Sequence, residues 1–466
     1  MNTIRLISFT AALALIPFLG QAQPTLIAIG SLTESRAGAN ADLSGLLYTL
    51  ENQAPANLLG GMGSAITYDS GKKFVLLPDR GPNAVTFDTL IDNTVSYVNR
   101  FHTVQIELDA NPAGPPPFTL TARLQDTTLL WSSDPLVYST GAGLGVGSGV
   151  PPINNAHQYF FSGRSDNFDP AGNSGNPNNA RFDTEGIRVS ADQQSLFISD
   201  EYGPYVYQFD RSSGARLRSY ALPEKFYVTN LHPVGADEIS ANTVGRTANK
   251  GMEGLAITPD GNTLVGIMQA ALIQDTSQGG AAANLLRIVT IDVASGATHE
   301  YAYLLTTGSG VSEILAINSH EFLVDERDGR GLEGASDGSS NDARVKQLFK
   351  IDLEGAHEVS DEDGLTAATH AVTKTLFLNL ITALTNNGIA ANRIPAKIEG
   401  IAFGPDVQID HHTRLHTLWI SNDNDYLLST ADVPPEPNPN QFFVFGFTDE
   451  DLPGYLPPTN GLPFGN

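Results

Sequence analysis

Acidic residues recur along this chain in one local setting: a carboxylate beside a small residue opens an apolar strand, and a second acidic cluster closes it. The fullest copy is Asp183-Thr184-Glu185-Gly186-Ile187, running on to Leu196-Phe197-Ile198-Ser199-Asp200-Glu201-Tyr202-Gly203-Pro204. Met252-Glu253-Gly254-Leu255-Ala256 leads to Thr263-Leu264-Val265-Gly266-Ile267, and Ile398-Glu399-Gly400-Ile401-Ala402 ends at Asn422-Asp423-Asn424-Asp425. Two weaker copies are Ser312-Glu313-Ile314-Leu315, ending at Asp325-Glu326-Arg327-Asp328, and Gly63-Ser64-Ala65-Ile66, ending at Asp79-Arg80-Gly81. If equivalent starts face one axis, Glu185, Glu253, Glu313 and Glu399 form a ring of like charges. Such a ring either raises its own pKa values or is bridged by a cation. Calcium suits it, as a hard ion taking about six to eight oxygens. Asp200, Glu201, Asp325, Glu326, Asn422 and Asp423 at the strand ends would complete its shell or hold a second ion. The alternative is that each glutamate caps backbone amides in a tight turn.

Arg80 and Arg327 stand beside aspartates at two of these ends. A guanidinium near a metal can grip a phosphate at two oxygens; the plainer reading is an Asp–Arg pair that holds the strands together. Together, Glu185, Glu253, Glu399, Arg80 and Arg327 are the candidate catalytic set. The chemistry would be attack of a metal-activated water on a metal-held phosphate, with one carboxylate as general base.

Positioning such a ring requires a repeat architecture. Strand-like runs are short, and several close in aspartate followed by a glycine turn, as in Tyr205–Asp210 before Ser212-Ser213-Gly214 and Ile288–Asp292 before Ala294-Ser295-Gly296. That is the rhythm of successive hairpins. The fold class expected is all-β, a β-propeller, closed by pairing the strand near Thr25–Ile29 with Phe442–Phe447. Motif starts lie about 120, 70, 60 and 85 residues apart against a usual blade of about 40–50. Six blades are expected, with seven as the rival, and the excess is assigned to insertions. Residues 132–181, rich in Gly, Pro, Asn and Ser, read as a long irregular excursion. In 365–387 the spacing of Leu365, Ala368, Val372, Leu376, Leu380 and Leu384 predicts a core-packing helix.

Composition bounds the rest. Lys and Arg number 26 against 51 Asp and Glu, a formal charge of −25, which argues against nucleic acid and anionic membranes as partners. Residues 1–22 read as an export signal: Arg5, an apolar stretch from Leu6 to Leu19 broken by Pro17, then Gly20-Gln21-Ala22. That stretch is too short and interrupted to span a bilayer. With no cysteine there is no disulfide, thiolate nucleophile or cysteine zinc site. The expectation is an exported monomer, periplasmic or secreted, with one domain over 23–448 and a Pro/Gly-rich tail over 449–466.

The Glu-Gly-Ile/Leu starts, the Ser-Asp-Glu-Tyr-Gly-Pro strand end and the Asp79-Arg80-Gly81 and Asn422–Asp425 ends resemble the phytase-like family called "esterase-like activity of phytase". The resemblance runs from about Gly60 to Asp425, with 183–210 its most specific part. It implies a β-propeller, an exported bacterial protein and hydrolysis of phosphoesters or esters through the recurring Glu and Asp residues. Ser64 and the Glu313-Ile314 pair depart from the repeat. Three functions stay open: a calcium-dependent phosphoesterase acting on a small molecule, a lactonase or carboxylic esterase, and a non-catalytic binding propeller with structural calcium. Gly334-Ala335-Ser336-Asp337-Gly338 matches a nucleophile elbow but lacks the strand-to-helix context and reads as a loop. His411, His412 and His416 read as a surface cluster, and Asp361-Glu362-Asp363-Gly364 as a solvated turn.

Overall fold

Apolar runs ending in Asp-x-x-Ser-Gly fold as antiparallel hairpins because the aspartate caps the turn that follows. The Asp210 carboxylate accepts from the amides of Ser212 and Ser213 at 3.1 and 2.8 Å, and Asp292 accepts from Ser295 N at 2.7 Å. Gly214 and Gly296 then take φ of +73° and +82°, where a side chain is strained. The computed structural model describes residues 23–457, apart from 33, 139–144, 278–281, 335–339, 411 and 432–433. The export signal, most of the Gly334–Gly338 motif, His411 and the last residues of the tail lie outside the described residues.

Five four-stranded antiparallel sheets form the ring. Blade 1 is Ala65–Ser70, Lys73–Leu77, Arg100–Ala110 and Phe118–Leu129; blade 2 is Thr184–Val189, Ser195–Asp200, Tyr205–Asp210 and Arg216–Ala221. Blade 3 is Met252–Ile257, Thr263–Met268, Leu285–Asp292 and Thr298–Leu304; blade 4 is Gly310–Ala316, Glu321–Arg327, Lys346–Asp352 and Lys374–Asn379. Blade 5 takes Ile398–Gln408, Arg414–Asn422 and Asn440–Phe447 from the C-terminal part and Thr25–Leu32 from the N-terminal part. Thr25 faces Gly446 and Leu32 faces Asn440, so both ends of the chain close the circle. Each blade packs on the next through one apolar layer, for example Phe197 and Val206 of blade 2 with Leu255 and Leu264 of blade 3.

The count of five corrects the expected six or seven. Each of the five motif starts heads the innermost strand of one blade, and long connections rather than further blades fill the gaps between them. The helix expected over 365–387 is also corrected. Gly364–Ala368 and Leu380–Asn386 are short helices, and Lys374–Asn379 between them is the outer strand of blade 4. Leu380 and Leu384 are buried as the spacing required, whereas Leu365 and Leu376 are exposed. Ladder pairing with Lys346–Asp352 outweighs the helical spacing there.

The excursion at 132–181 packs beside the inner ends of blades 1 and 2. Trp131–Ser132 pairs with Tyr159–Phe160, and buried Arg164 is held by Asp166 and Glu51. Gly163 sits so close that a Cβ there would lie 1.7 Å from the carbonyl oxygen of Arg80. The excursion thus buttresses the loop that carries Arg80.

Candidate active site

Ladder register lets the five copies be superposed. Thr184 faces Asp200, Met252 faces Met268, Val311 faces Glu326 and Ile398 faces Asn422. One residue further on, Glu185, Glu253, Ser312 and Glu399 occupy one position of the inner strand, and Ser64 takes it in blade 1 through the Ile66–Leu76 pairing. One residue past the second strand stand Glu201, Gln269, Arg327, Asp423 and, in blade 1, Asp79. The same backbone bond fixes the second position in three blades: Glu201 N to Asp183 O at 3.0 Å, Gln269 N to Gly251 O at 2.8 Å, and Asp423 N to Lys397 O at 3.0 Å.

These two rings converge on a polar cavity of about 140 Å³ at one mouth of the channel, lined by Asp79, Arg80, Asp183, Glu185, Glu201, Glu253, Gln269, Arg327, Lys397, Glu399 and Asp423, with Asn83 and Asn249. A second lobe of about 140 Å³ adjoins it through Arg327, Lys397 and Asp423. Seven carboxylates meet three cationic side chains in the first lobe. Arg80 Nη1 pairs with Asp183 Oδ2 at 2.9 Å, and the main-chain amide of Arg80 donates to Asp183 Oδ1 at 3.2 Å. Arg327 pairs with Glu399 and donates through Nε to Ser312 Oγ at 2.8 Å. Lys397 pairs with Asp423 at 2.8 Å and with Asp425.

The excess of acid shows in the protonation behaviour. Burial, then the charges of Glu253, Asp183, Glu201 and Glu399, push Glu185 well above the usual carboxylate range. Burial and then Glu253 do the same to Glu201. Glu253 is pushed up to about 7 by burial and Glu399, against the pull of Arg327; Asp79 reaches about 7 through burial, against Lys397. A cation fits this setting. Ligand oxygens of Asp183, Glu185 and Glu201 lie within 4.8 Å of one another, and Glu201 Oε1 and Glu253 Oε2 are buried without a hydrogen-bond partner. All donors are oxygens, the set a hard cation prefers.

Of the residues singled out in the sequence, Glu185, Glu253, Glu399, Glu201, Asp423, Arg80 and Arg327 meet in the cavity. Glu313, Asp200, Asp325 and Glu326 do not, and Asn422 reaches only the second lobe; for Asp200, Glu326 and Asn422 the reason is alternation, since a shift of one residue in a strand turns a side chain to the other face. Asp200, Glu326 and Asn422 sit one residue before the ring. Asp200 accepts from the amides of Asp183 and Tyr202 at 3.1 and 2.9 Å. Glu326 accepts from Tyr303 Oη at 2.6 Å and pairs with Lys374, and Asn422 Oδ1 accepts from Gln441 N at 2.5 Å. Asp325 holds the place that Ser199 and Ser421 hold in blades 2 and 5, and both its carboxylate oxygens are buried without a hydrogen-bond partner.

Glu313 falls in the place of the motif glycine, because Ser312 takes the place of the glutamate. At Gly254 an added Cβ would lie 2.7 Å from Ile314 N, so the inner strands approach too closely there for a side chain. Glu313 instead reaches inward, accepting from Leu255 N at 2.8 Å and pairing with Arg188 Nη2 at 3.0 Å. Arg188, which the sequence reading passed over, bridges the channel. Its guanidinium donates to the carbonyls of Ile66 in blade 1 and Ile314 in blade 4, at 3.1 and 2.9 Å. Beyond it lies the opposite mouth, a pocket without carboxylates in which Ile257, Leu315, Ala316, Phe403 and Leu456 stand beside Thr67, Ser190 and Thr258.

Asp79, Asp183 and Lys397 were also missed as site members. Aligning strand ends by register rather than by the first acidic letter finds Asp79, and the residue before each inner strand gives Asp183 and Lys397. His416 belongs to a surface pairing with Asp406 and Asp449 at 2.8 and 3.1 Å, away from the cavity.

A family model described as "Phytase-like: Esterase-like activity of phytase" matches residues 57–426. A protein of Arthroderma benhamiae described as an uncharacterized secreted protein is 27% identical over 320 residues, which is 58% of this chain and 59% of that relative, so the chain spans less than two thirds of its length. A fungal relative lends no support to the bacterial origin that the resemblance implied. Among solved structures, the periplasmic gluconolactonase of Pseudomonas aeruginosa is 12% identical at a TM-score of 0.29, covering 79% of this chain and 84% of that one. A luciferin-regenerating enzyme is 9% identical at 0.28, covering 84% and 93%. No helix among the described residues is long and apolar enough to cross a membrane.

Proposed function

Because the chain belongs to the phytase-like family, "esterase-like activity of phytase", we propose that it is an exported ester hydrolase of phosphoester type whose reaction takes place in the acidic mouth of the propeller. The observation that carries this reading is the convergence of seven carboxylates with Arg80, Arg327 and Lys397 in one cavity. Calcium is the proposed cation, held by Asp183, Glu185 and Glu201 with Glu253 beside them. When bound, it would supply the positive charge that lets a phosphate enter an acidic site and that makes a water more acidic.

The protein's own groups do the rest. Arg80 is fixed by Asp183 through both side chain and main chain, and its Nε is buried with no hydrogen-bond partner. Arg327 and Lys397 stand across the cavity, so a phosphate there meets cationic donors from blades 1, 4 and 5. Glu253, with its pKa near 7, takes the proton of the attacking water, since a base poised near the operating pH is the most effective. The cavity is small beside a typical ligand pocket of roughly 300–1,000 Å³. It suits the phosphate head, with the remainder of the substrate lying towards the second lobe.

The test is hydrolysis of a phosphomonoester, a phosphodiester and a carboxylic ester by the purified protein, with calcium and with chelator. Calcium-dependent phosphoester turnover lost in Glu185→Gln, with the fold intact, is the expected result. Turnover of the carboxylic ester alone, insensitive to Arg80→Ala, would replace this reading with an esterase. No turnover, with calcium still raising the melting temperature, would replace it with a binding propeller.

A further inference from the structure

The connection between the third and outer strands of blade 4, whose residues are absent from the lining of the acidic mouth, gathers two imidazoles and a carboxylate. His357 Nε2 lies 3.1 Å from Glu362 Oε1, and His370 Nε2 lies 3.9 Å from Glu362 Oε2. The two rings stack with centroids 3.8 Å apart and planes 20° from parallel. One ligand atom from each residue falls within 4.8 Å of the others. Glu362 Oε2 is itself shielded from solvent and has no hydrogen-bond partner.

We propose that His357, Glu362 and His370 form a binding site for a divalent transition metal, zinc in the first instance, separate from the acidic mouth and independent of the hydrolytic reading. Two imidazole nitrogens and a carboxylate are a zinc ligand set, with a fourth position left for water. Calcium and magnesium prefer all-oxygen sites, so this donor set discriminates against them. With zinc–ligand distances of about 2.0–2.1 Å and tetrahedral angles, neighbouring ligand atoms stand about 3.3–3.4 Å apart. The two histidine contacts, 3.1 and 3.9 Å to the two oxygens of the one carboxylate, lie on either side of that value. The two side chains are 52% and 38% exposed, which leaves the rings room to turn towards one ion.

The backbone is held ready for this. Glu362 N donates to Val359 O at 3.0 Å, and Glu362 O accepts from Arg287 Nη2 at 2.8 Å. Arg287 is fully buried and bound at both ends of its fork to Asp275, at 3.0 and 2.8 Å. His370 N donates to Ala367 O at 3.0 Å, at the end of the short helix Gly364–Ala368. A ligand set on so firmly tied a backbone loses little freedom on binding a metal.

The experiment uses the full chain without a histidine tag, stripped with chelator and then saturated with calcium, and titrates it with zinc chloride by calorimetry. Cobalt(II) serves as the spectroscopic probe. Expected are one zinc per chain and the intense visible bands of low-coordinate cobalt. Both should weaken in His357→Ala and His370→Ala by more than the 10–100-fold typical of losing an outer-shell partner. His412→Ala and His416→Ala should leave binding unchanged, and His357→Ala should leave hydrolysis unchanged. Absence of zinc binding at this stoichiometry, or its retention in both His357→Ala and His370→Ala, overturns the proposal.

Discussion

The two mouths of the channel are built from the same five strands yet present opposite chemistries. Where the inner strands begin, they offer Glu185, Glu253 and Glu399 with the strand-end groups Asp79, Glu201, Arg327 and Asp423. Where they end, they offer Ile257, Leu315, Ala316 and Phe403. Arg188 stands between, tied to Glu313 and to carbonyls of blades 1 and 4. A repeat therefore dictates a ring at every level of the channel, and among the described residues the carboxylates gather at the level left as open space in the acidic mouth. Whether a carboxylate there is chemical or structural depends on whether its neighbours have already satisfied it. Glu313 takes two amides on Oε1 and has the Arg188 guanidinium 3.0 Å from Oε2, an ion pair without a hydrogen bond, while Glu201 and Glu253 each keep an oxygen with neither a hydrogen bond nor a paired cation.

The strongest test of that contrast is Glu253→Gln. Loss of a general base should lower the phosphoester rate by roughly 10²–10⁴-fold, seen in steady-state kinetics with the melting temperature retained. A rate unchanged within about threefold would mean that the acidic mouth binds rather than reacts.

Next in size is the partition itself. Arg188→Met leaves Glu313 buried without its cation and strips donors from two carbonyls. A loss of about 3–5 kcal/mol in urea unfolding is expected, as for breaking a buried pair. Adding Glu313→Gln should recover part of it, so the two changes are not additive. Additive losses would show that Arg188 acts through its carbonyl contacts alone.

The five recurring starts were legible from the sequence, because Glu-Gly-Ile/Leu before an apolar strand marks three inner strands, and the weaker copies at Ser64-Ala65-Ile66 and Ser312-Glu313-Ile314 keep the apolar strand and its acidic end. The blade count was not, since starts about 120, 70, 60 and 85 residues apart leave room for more than five blades of about 40–50 residues, and spacing alone does not show that connections fill it. Site membership was legible to within one residue. Asp200, Glu326 and Asn422 announce themselves as acidic or polar letters at strand ends, yet their neighbours Glu201, Arg327 and Asp423 face the channel. Only pairing register distinguishes those two sets, and a one-residue offset at Ser312-Glu313 sends an otherwise matching glutamate to the arginine plug. Arg188 carried no signal at all, being a single cation inside an apolar strand.

A smaller effect follows from the raised acids. Asp79 and Glu253 bind protons more tightly when folded, at about 7, than in an unfolded chain, near about 3.9 and 4.3. A raised carboxylate favours folding while protonated, so stability falls as pH climbs from the unfolded value through the folded one. In chelator the stability should therefore drop between about pH 4 and 7, by up to about 4 kcal/mol per group, with the melting temperature falling alongside. Calcium should flatten the slope by occupying the carboxylates. The same slope with and without calcium would remove the cation from the acidic mouth.

The smallest effect probes the opposite mouth. Leu456 is 51% exposed, lines the pocket, and donates its backbone amide to Ile317 O at 2.9 Å, a bond that no side-chain change removes. Leu456→Ser should alter stability by no more than about 0.5 kcal/mol, as for a surface position, and leave kcat and KM for a phosphoester unchanged. Arg188 separates the two: with its guanidinium fixed to Glu313 and to carbonyls across the channel, a change on the Leu456 side has no movable group through which to reach the carboxylates. A shift in KM with Leu456→Ser would mean that the plug yields, and that the two mouths form one continuous site.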